Sequence, residues 1–208
     1  MNPIRGIPLR GFLIMLMLWL GAVPPRGVAD ETAQRRAEQI QRALRAGNTA
    51  LIEDELDRAR RFFEAVLRAE PQNREARFAM STLHIKAGDY PSAIDLLEEL
   101  AEEFPRDYAV LNNLAWLYAT AEETRFRDGD RAVALAQEAL LSAPNDYHVW
   151  STLARGHFVA GNYDRSLRAA RQALQLSQRQ GADAQRVQEY REQVNRSQRA
   201  ARALSITD

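Results

Sequence analysis

Three histidines, four closely spaced glutamates and a single lysine are the residues in this chain from which chemistry could most readily be built. His84, His148 and His157 each lack a histidine or carboxylate four residues away, the H-E-x-x-H spacing that places two ligands on one helical face, so no metal site is expected. Glu98, Glu99, Glu102 and Glu103 fall on one stretch, where acid–base work would require a cleft around them; a solvated outer face is the simpler expectation. There is no cysteine, which excludes disulfides, thiolate metal sites and thiol catalysis. G-x-S-x-G, P-loop and G-x-G-x-x-G patterns are missing too, so the expectation is a protein that is not an enzyme and needs no cofactor. Lys+Arg and Asp+Glu both number 28 in 208 residues and are interspersed, which gives no footprint for nucleic acid. With 46% hydrophobic residues a packed core is within reach.

The elements that would position these groups are helices. Beyond Asp30 apolar residues recur at three and four, and proline and glycine are confined to turn-like stretches. The punctuation is periodic, with Pro71, Pro105 and Pro144 standing 34 and then 39 residues apart. With the prolines in register, small residues also fall into columns: Gly47, Ser81, Ala115 and Ala154 in the first half of each unit, Ala59, Ala93, Ala132 and Ser166 in the second. Small side chains at these places let two helices approach closely, while Gly88-Asp89-Tyr90 and Gly161-Asn162-Tyr163 make tight turns between them. One such hairpin cannot bury its apolar faces alone, so the units must stack.

From Ile40 to Gln180 the pattern resembles the tetratricopeptide repeat family, W-x₂-L-G-x₂-Y…A-x₃-F…P. Trp150-x₂-Leu153-Ala154-x₂-His157…Gly161-Asn162-Tyr163-x₂-Ser166 is the nearest copy, followed by Arg77-x₂-Met80-Ser81-x₂-His84…Tyr90-x₂-Ala93…Pro105. The resemblance implies an all-α fold, a right-handed α-solenoid of three to four hairpins with units at about 40–73, 74–107, 108–146 and 147–180 and a capping helix over 181–208. Three departures stand out: Glu55-Leu56 at the first turn, Gln178 where a final proline would be, and five extra residues within Thr120–Gly129. The extra loop should protrude at a rim. Residues 183–204 carry a thin stripe of Val187, Tyr190, Val194, Ala201 and Leu204, interrupted by Ser197. A coiled-coil seam is the competing reading of that stripe.

The first 29 residues read as an export signal. Arg5 and Arg10 precede the apolar run Phe12–Val23, and Gly27 and Ala29 place a cut after Ala29. The run is shorter than the ~20 residues a membrane span needs, although an uncleaved membrane anchor facing the periplasm stays open, with Arg26 close to the proposed cut. Removing 1–29 deletes three arginines and no acid, leaving a net charge of −3.

In stacks of this family the first helices line a concave face. Helical spacing places Phe78, Thr82 and Lys86 there from the second unit, Asn112 and Trp116 from the third, and His148, Ser151, Arg155 and Phe158 from the fourth, with Leu44, Asn48, Leu51 and Ile52 from the first. Such a wall suits a peptide segment of another protein: aromatic anchors, Asn112 for its backbone, Lys86 and Arg155 for a carboxylate. His84 and His157 fall instead in the packed column filled by Tyr118 in the third unit. The functional expectation is an exported, periplasmic adaptor or scaffold. Self-assembly through the C-terminal helix or the 120–129 loop is its alternative.

Overall fold

The computed structural model describes residues 26–207, and among these there are nine α-helices and no strand. They are α1 (Arg26–Ile52), α2 (Leu56–Ala69), α3 (Arg74–Lys86), α4 (Tyr90–Glu103), α5 (Tyr108–Thr120), α6 (Gly129–Ser142), α7 (Tyr147–Val159), α8 (Tyr163–Arg179) and α9 (Ala184–Thr207). One 3-10 turn, Thr124–Phe126, lies between α5 and α6. The apolar run read as an export signal lies outside the described residues, and the cut expected after Ala29 falls in the first turn of α1. No helix among the described residues is long and apolar enough to cross a membrane.

The chain divides into two units at Arg42. In the first, α1 is exposed from Asp30 to Gln39 and carries Glu31–Arg35 and Glu38–Arg42 pairs at 3.4 Å, one turn apart. Such pairs add only a few tenths of a kcal/mol each to a helix.

The second unit is an all-α solenoid in which α3 pairs with α4, α5 with α6 and α7 with α8, while α9 packs on α8. Its joints follow from the P-x-Asn/Asp turns. Pro71, Pro105 and Pro144 each stand just past a helix C-cap, and the residue two on caps the next helix. Asn73 accepts from Ala76 N, Asp107 from Ala109 and Val110 N, and Asp146 from His148 and Val149 N. Each turn therefore stops one helix by removing a donor and starts another by satisfying one.

Within hairpins, Gly88 and Gly161 turn the chain at φ near +75°. The equivalent place in the first hairpin holds Asp54 at φ 63°, a left-handed conformation tolerated by aspartate better than by most residues, which is why the first unit looks degenerate in sequence yet turns alike. All eight small residues of the two columns are buried. At Gly47 a Cβ would stand 2.5 Å from the fully buried Phe63 ring. Two further close approaches join α6 to α7, at Gly156 against the backbone of Ala132 and Val133, and at Gly129 against that of Ala160.

Two features go beyond the expectation. The Glu98–Glu103 stretch is the solvated face expected, with Glu99, Glu102 and Glu103 exposed, but it also ties helices together: Glu98 accepts from Tyr118 Oη at 2.8 Å and from Arg131, while Glu99 and Glu103 hold Arg77 of α3. The 120–129 loop is pinned rather than protruding freely. The Phe126 ring packs tilted against Tyr90 at 5.9 Å, Arg127 Nε donates to Ala121 O, and Asp128 N donates to Tyr118 O while the Asp128 carboxylate caps α6.

Candidate functional site

Helices α5 and α7 lie side by side, and α9, resting mainly on α8, stands off from α7 enough to leave an open seam. Two cavities of about 360 and 370 Å³ lie along it and share Arg155 and Glu189 in their walls. One is lined by Asn112, Trp116, His148, Ser151 and Arg155 with Arg186, Glu189 and Tyr190 of α9. The other is lined by Phe158, Val159 and Arg155 with Arg127, Glu189, Glu192 and Arg196.

Trp116 is 38% exposed, a large ring displayed on the wall of the first cavity rather than packed in the core. One turn earlier, Asn112 Oδ1 is buried without a hydrogen-bond partner among the described residues. An unsatisfied buried amide oxygen costs free energy unless something supplies a donor. Its neighbour Asn113 is engaged, donating to Thr82 Oγ1 at 3.4 Å.

The His148 ring packs tilted against Tyr147, with ring centroids 4.3 Å apart, and its Nδ1 lies 3.1 Å from Tyr190 Oη. Partial burial holds the His148 pKa below its ordinary value and pushes the Tyr190 hydroxyl up to about 12. Arg155 is half-buried, and its pKa is lowered first by that burial and then by the like charge of Arg196.

Several expected groove residues stand elsewhere. Ser151 is 5% exposed and donates its hydroxyl to Gln193 Oε1 at 2.9 Å, so it holds α9 in place instead of offering a free hydroxyl. Phe78 and Thr82 are half-buried; Phe78 packs on the core around Leu97 and Leu117, and the Thr82 hydroxyl donates to Phe78 O. Lys86 is tied to Asp54 at 2.8 Å across two hairpins. These three line neither of the two cavities. Leu44 and Leu51 are buried, while Ile52 is exposed. His84 meets Asp89 at 2.9 Å, and His157 is buried with Nδ1 unpartnered among the described residues. No group of three His, Asp or Glu residues that could hold a metal occurs among the described residues.

What the spacing of the repeats did not reveal is the contribution of α9. Gln193 Nε2 donates to Ser151 O at 2.8 Å, Ser197 Oγ meets Ser166 Oγ at 2.8 Å, and Ser166 donates on to Ala154 O. The stripe of α9 is therefore half polar. Ser197, which interrupts the seam of a coiled coil, is the residue that docks the helix.

Residues 50–117, a third of the chain, match the family profile described as tetratricopeptide repeat. No curated protein matches the sequence. Among solved structures, a thermophilic TPR protein of Thermus thermophilus, TTC0263, is 20% identical with a TM-score of 0.57, over 78% of this chain and 91% of that one. MamA from residue 41 to its end, of Desulfovibrio magneticus RS-1, is 13% identical with a TM-score of 0.55, over 79% and 96%. A mutant O-GlcNAc transferase of Thermobaculum terrenum is 21% identical with a TM-score of 0.56, over 70% of this chain but only 27% of that one. At these identities the likeness is one of fold.

Proposed function

We propose that this tetratricopeptide-repeat chain is a non-catalytic scaffold whose seam between α5, α7 and α9 holds a peptide segment of a partner protein. The observation that carries the reading is the pairing, on one cavity wall, of a displayed Trp116 with the unpartnered Asn112 amide. An exposed aromatic ring supplies anchoring area, and an amide oxygen awaiting a donor suits a peptide N–H. Phe158, half-buried at the next cavity, adds a second apolar contact along the same direction.

We further infer that it works in the cell envelope. The order of Arg5, Arg10, the apolar run to Val23 and the small Gly27 and Ala29 supports export to the periplasm, with an uncleaved anchor as the alternative. Two experiments test the reading. Fractionation of cells expressing the full chain, with the N-terminus of the stable product sequenced, should find it outside the cytoplasm and starting at Asp30. For the groove, sedimentation should show a monomer whose capture of peptide is lost in Trp116→Ala; a concentration-dependent oligomer indifferent to that change would support self-assembly instead.

A further inference from the structure

Three arginines converge on the cavity between α7 and α9: Arg155 from α7, Arg196 from α9 and Arg127 from the segment ahead of α6. Arg127 is held by the carbonyl oxygens of Ala121, at 2.6 Å, and Glu122, at 3.4 Å, which position it without neutralising it. Neither Arg155 nor Arg196 has a hydrogen bond or ion pair among the described residues. Two carboxylates reach the same cavity, and both are already engaged along α9. Glu189 takes Arg186 at 3.0 Å and Gln185 at 3.5 Å, and Glu192 takes Gln188 at 3.0 Å.

Burying a guanidinium beside a like charge is unfavourable unless an anion comes between them. Burial first and then the charge of Arg196 press on Arg155 in that direction, and the charge of Glu189, itself tied to Arg186, offsets them only in part. A carboxylate accepts two parallel N–H bonds from a guanidinium, so it is the group whose shape and charge fit. Phe158, Val159, Ala154 and Ala119 supply apolar wall beside the polar Thr120, Ser166, Gln193 and Ser197, and that mixed lining suits an acidic side chain carried on a peptide better than a free small anion. The adjoining cavity with Trp116 and Asn112 shares Arg155, so one extended segment can reach both.

We propose that Arg155 and Arg196, with Arg127 beside them, form a subsite that receives the carboxylate of an Asp or Glu side chain in the bound peptide, a few residues from the side chain that meets Trp116. This rests on the peptide-groove reading and names the kind of segment that groove selects.

The test uses the immobilised full-length protein and a positional-scanning library of dodecapeptides, with the retained pool sequenced. Asp and Glu should be enriched over Asn and Gln by about tenfold at one position, set at a constant offset from an enriched apolar residue, as expected for a charge-assisted hydrogen bond. That enrichment should shrink with added salt and fall below about twofold in Arg155→Gln and Arg196→Gln, the apolar preference remaining. The Arg196 side chain is exposed, so its variant reads out even if Arg155→Gln fails to fold. Enrichment of apolar residues alone, with no acidic position, would overturn the subsite and leave the groove standing. No enrichment at any position would overturn both. Inorganic phosphate binding to the wild-type protein without any acidic preference in the library would assign the arginines to a small anion and likewise overturn the proposal.

Discussion

Replacing Gly129 by alanine sets two energies of opposite sign against each other. Alanine is the better helix former by at most about 1 kcal/mol, so propensity alone predicts a firmer α6. A methyl group there would stand 2.8 Å from Ala160 Cα and closer still to its backbone nitrogen, whereas ordinary contact begins near 3.4 Å. These are backbone atoms at the end of α7, so no side-chain rotation relieves the clash, and the start of α6 must part from it. Overpacking costs about 1–3 kcal/mol, and backbone contact puts this case toward the upper end, for a net loss of about 2 kcal/mol. In a chain of this size that corresponds to a fall of about 4–8 °C in thermal midpoint, read by far-ultraviolet circular dichroism. Ala134→Gly, at an exposed place in the same helix, is the control: there the reverse exchange should cost about 1 kcal/mol through propensity alone. A Gly129→Ala protein as stable as the wild type, or more so, would refute the close approach of α6 and α7.

Trp116→Ala should lower stability by about 1–3 kcal/mol, less than for a fully buried tryptophan because the ring is 38% exposed, while peptide binding drops by about 2 kcal/mol or more; equilibrium unfolding beside anisotropy separates the two. Gln193→Ala removes the acceptor of the buried Ser151 hydroxyl and the second bond to the Ser151 carbonyl, which keeps its helical partner; a loss of about 1–3 kcal/mol is expected, with hydrogen exchange rising first in α9. The pKa of His157 is lowered by burial and then by Arg165 and Arg168, so the folded state prefers the neutral ring. That contribution is fully present above the unfolded value near 6.5 and is lost as pH falls through the lower folded value. The thermal midpoint should therefore drop as the pH is lowered below the unfolded value near 6.5, and the drop should shrink in His157→Phe.

The stacking of helices was legible because it is encoded by composition at fixed intervals. Gly47, Ala59, Ser81, Ala93 and their counterparts are small for a reason that operates within each hairpin, so a column of small residues is enough to see it. Gly129 and Gly156 act between consecutive hairpins, and their role depends on how α6 meets α7, which no spacing within one unit reports. Helical periodicity likewise set Asn112, Trp116, His148, Arg155 and Phe158 along one face. It could not foresee that Ser151 would be taken by Gln193, 42 residues away, or that Lys86 would be held by Asp54. The polar docking of α9 was hidden for the same cause: Gln193 and Ser197 read as surface until their partners, Ser151 and Ser166, are in place. Phe126 in the extra loop was passed over because one aromatic residue among charges carries no period.

The groove itself is tested most directly by a photo-crosslinking side chain placed at Asn112 in the full chain, with a second at the exposed Gln137 of α6 for comparison. Adducts from position 112 should map to one contiguous stretch of another polypeptide, disappear in Trp116→Ala, and be missing from position 137. Adducts only to copies of the same chain, or adducts that persist unchanged in Trp116→Ala, would contradict the account.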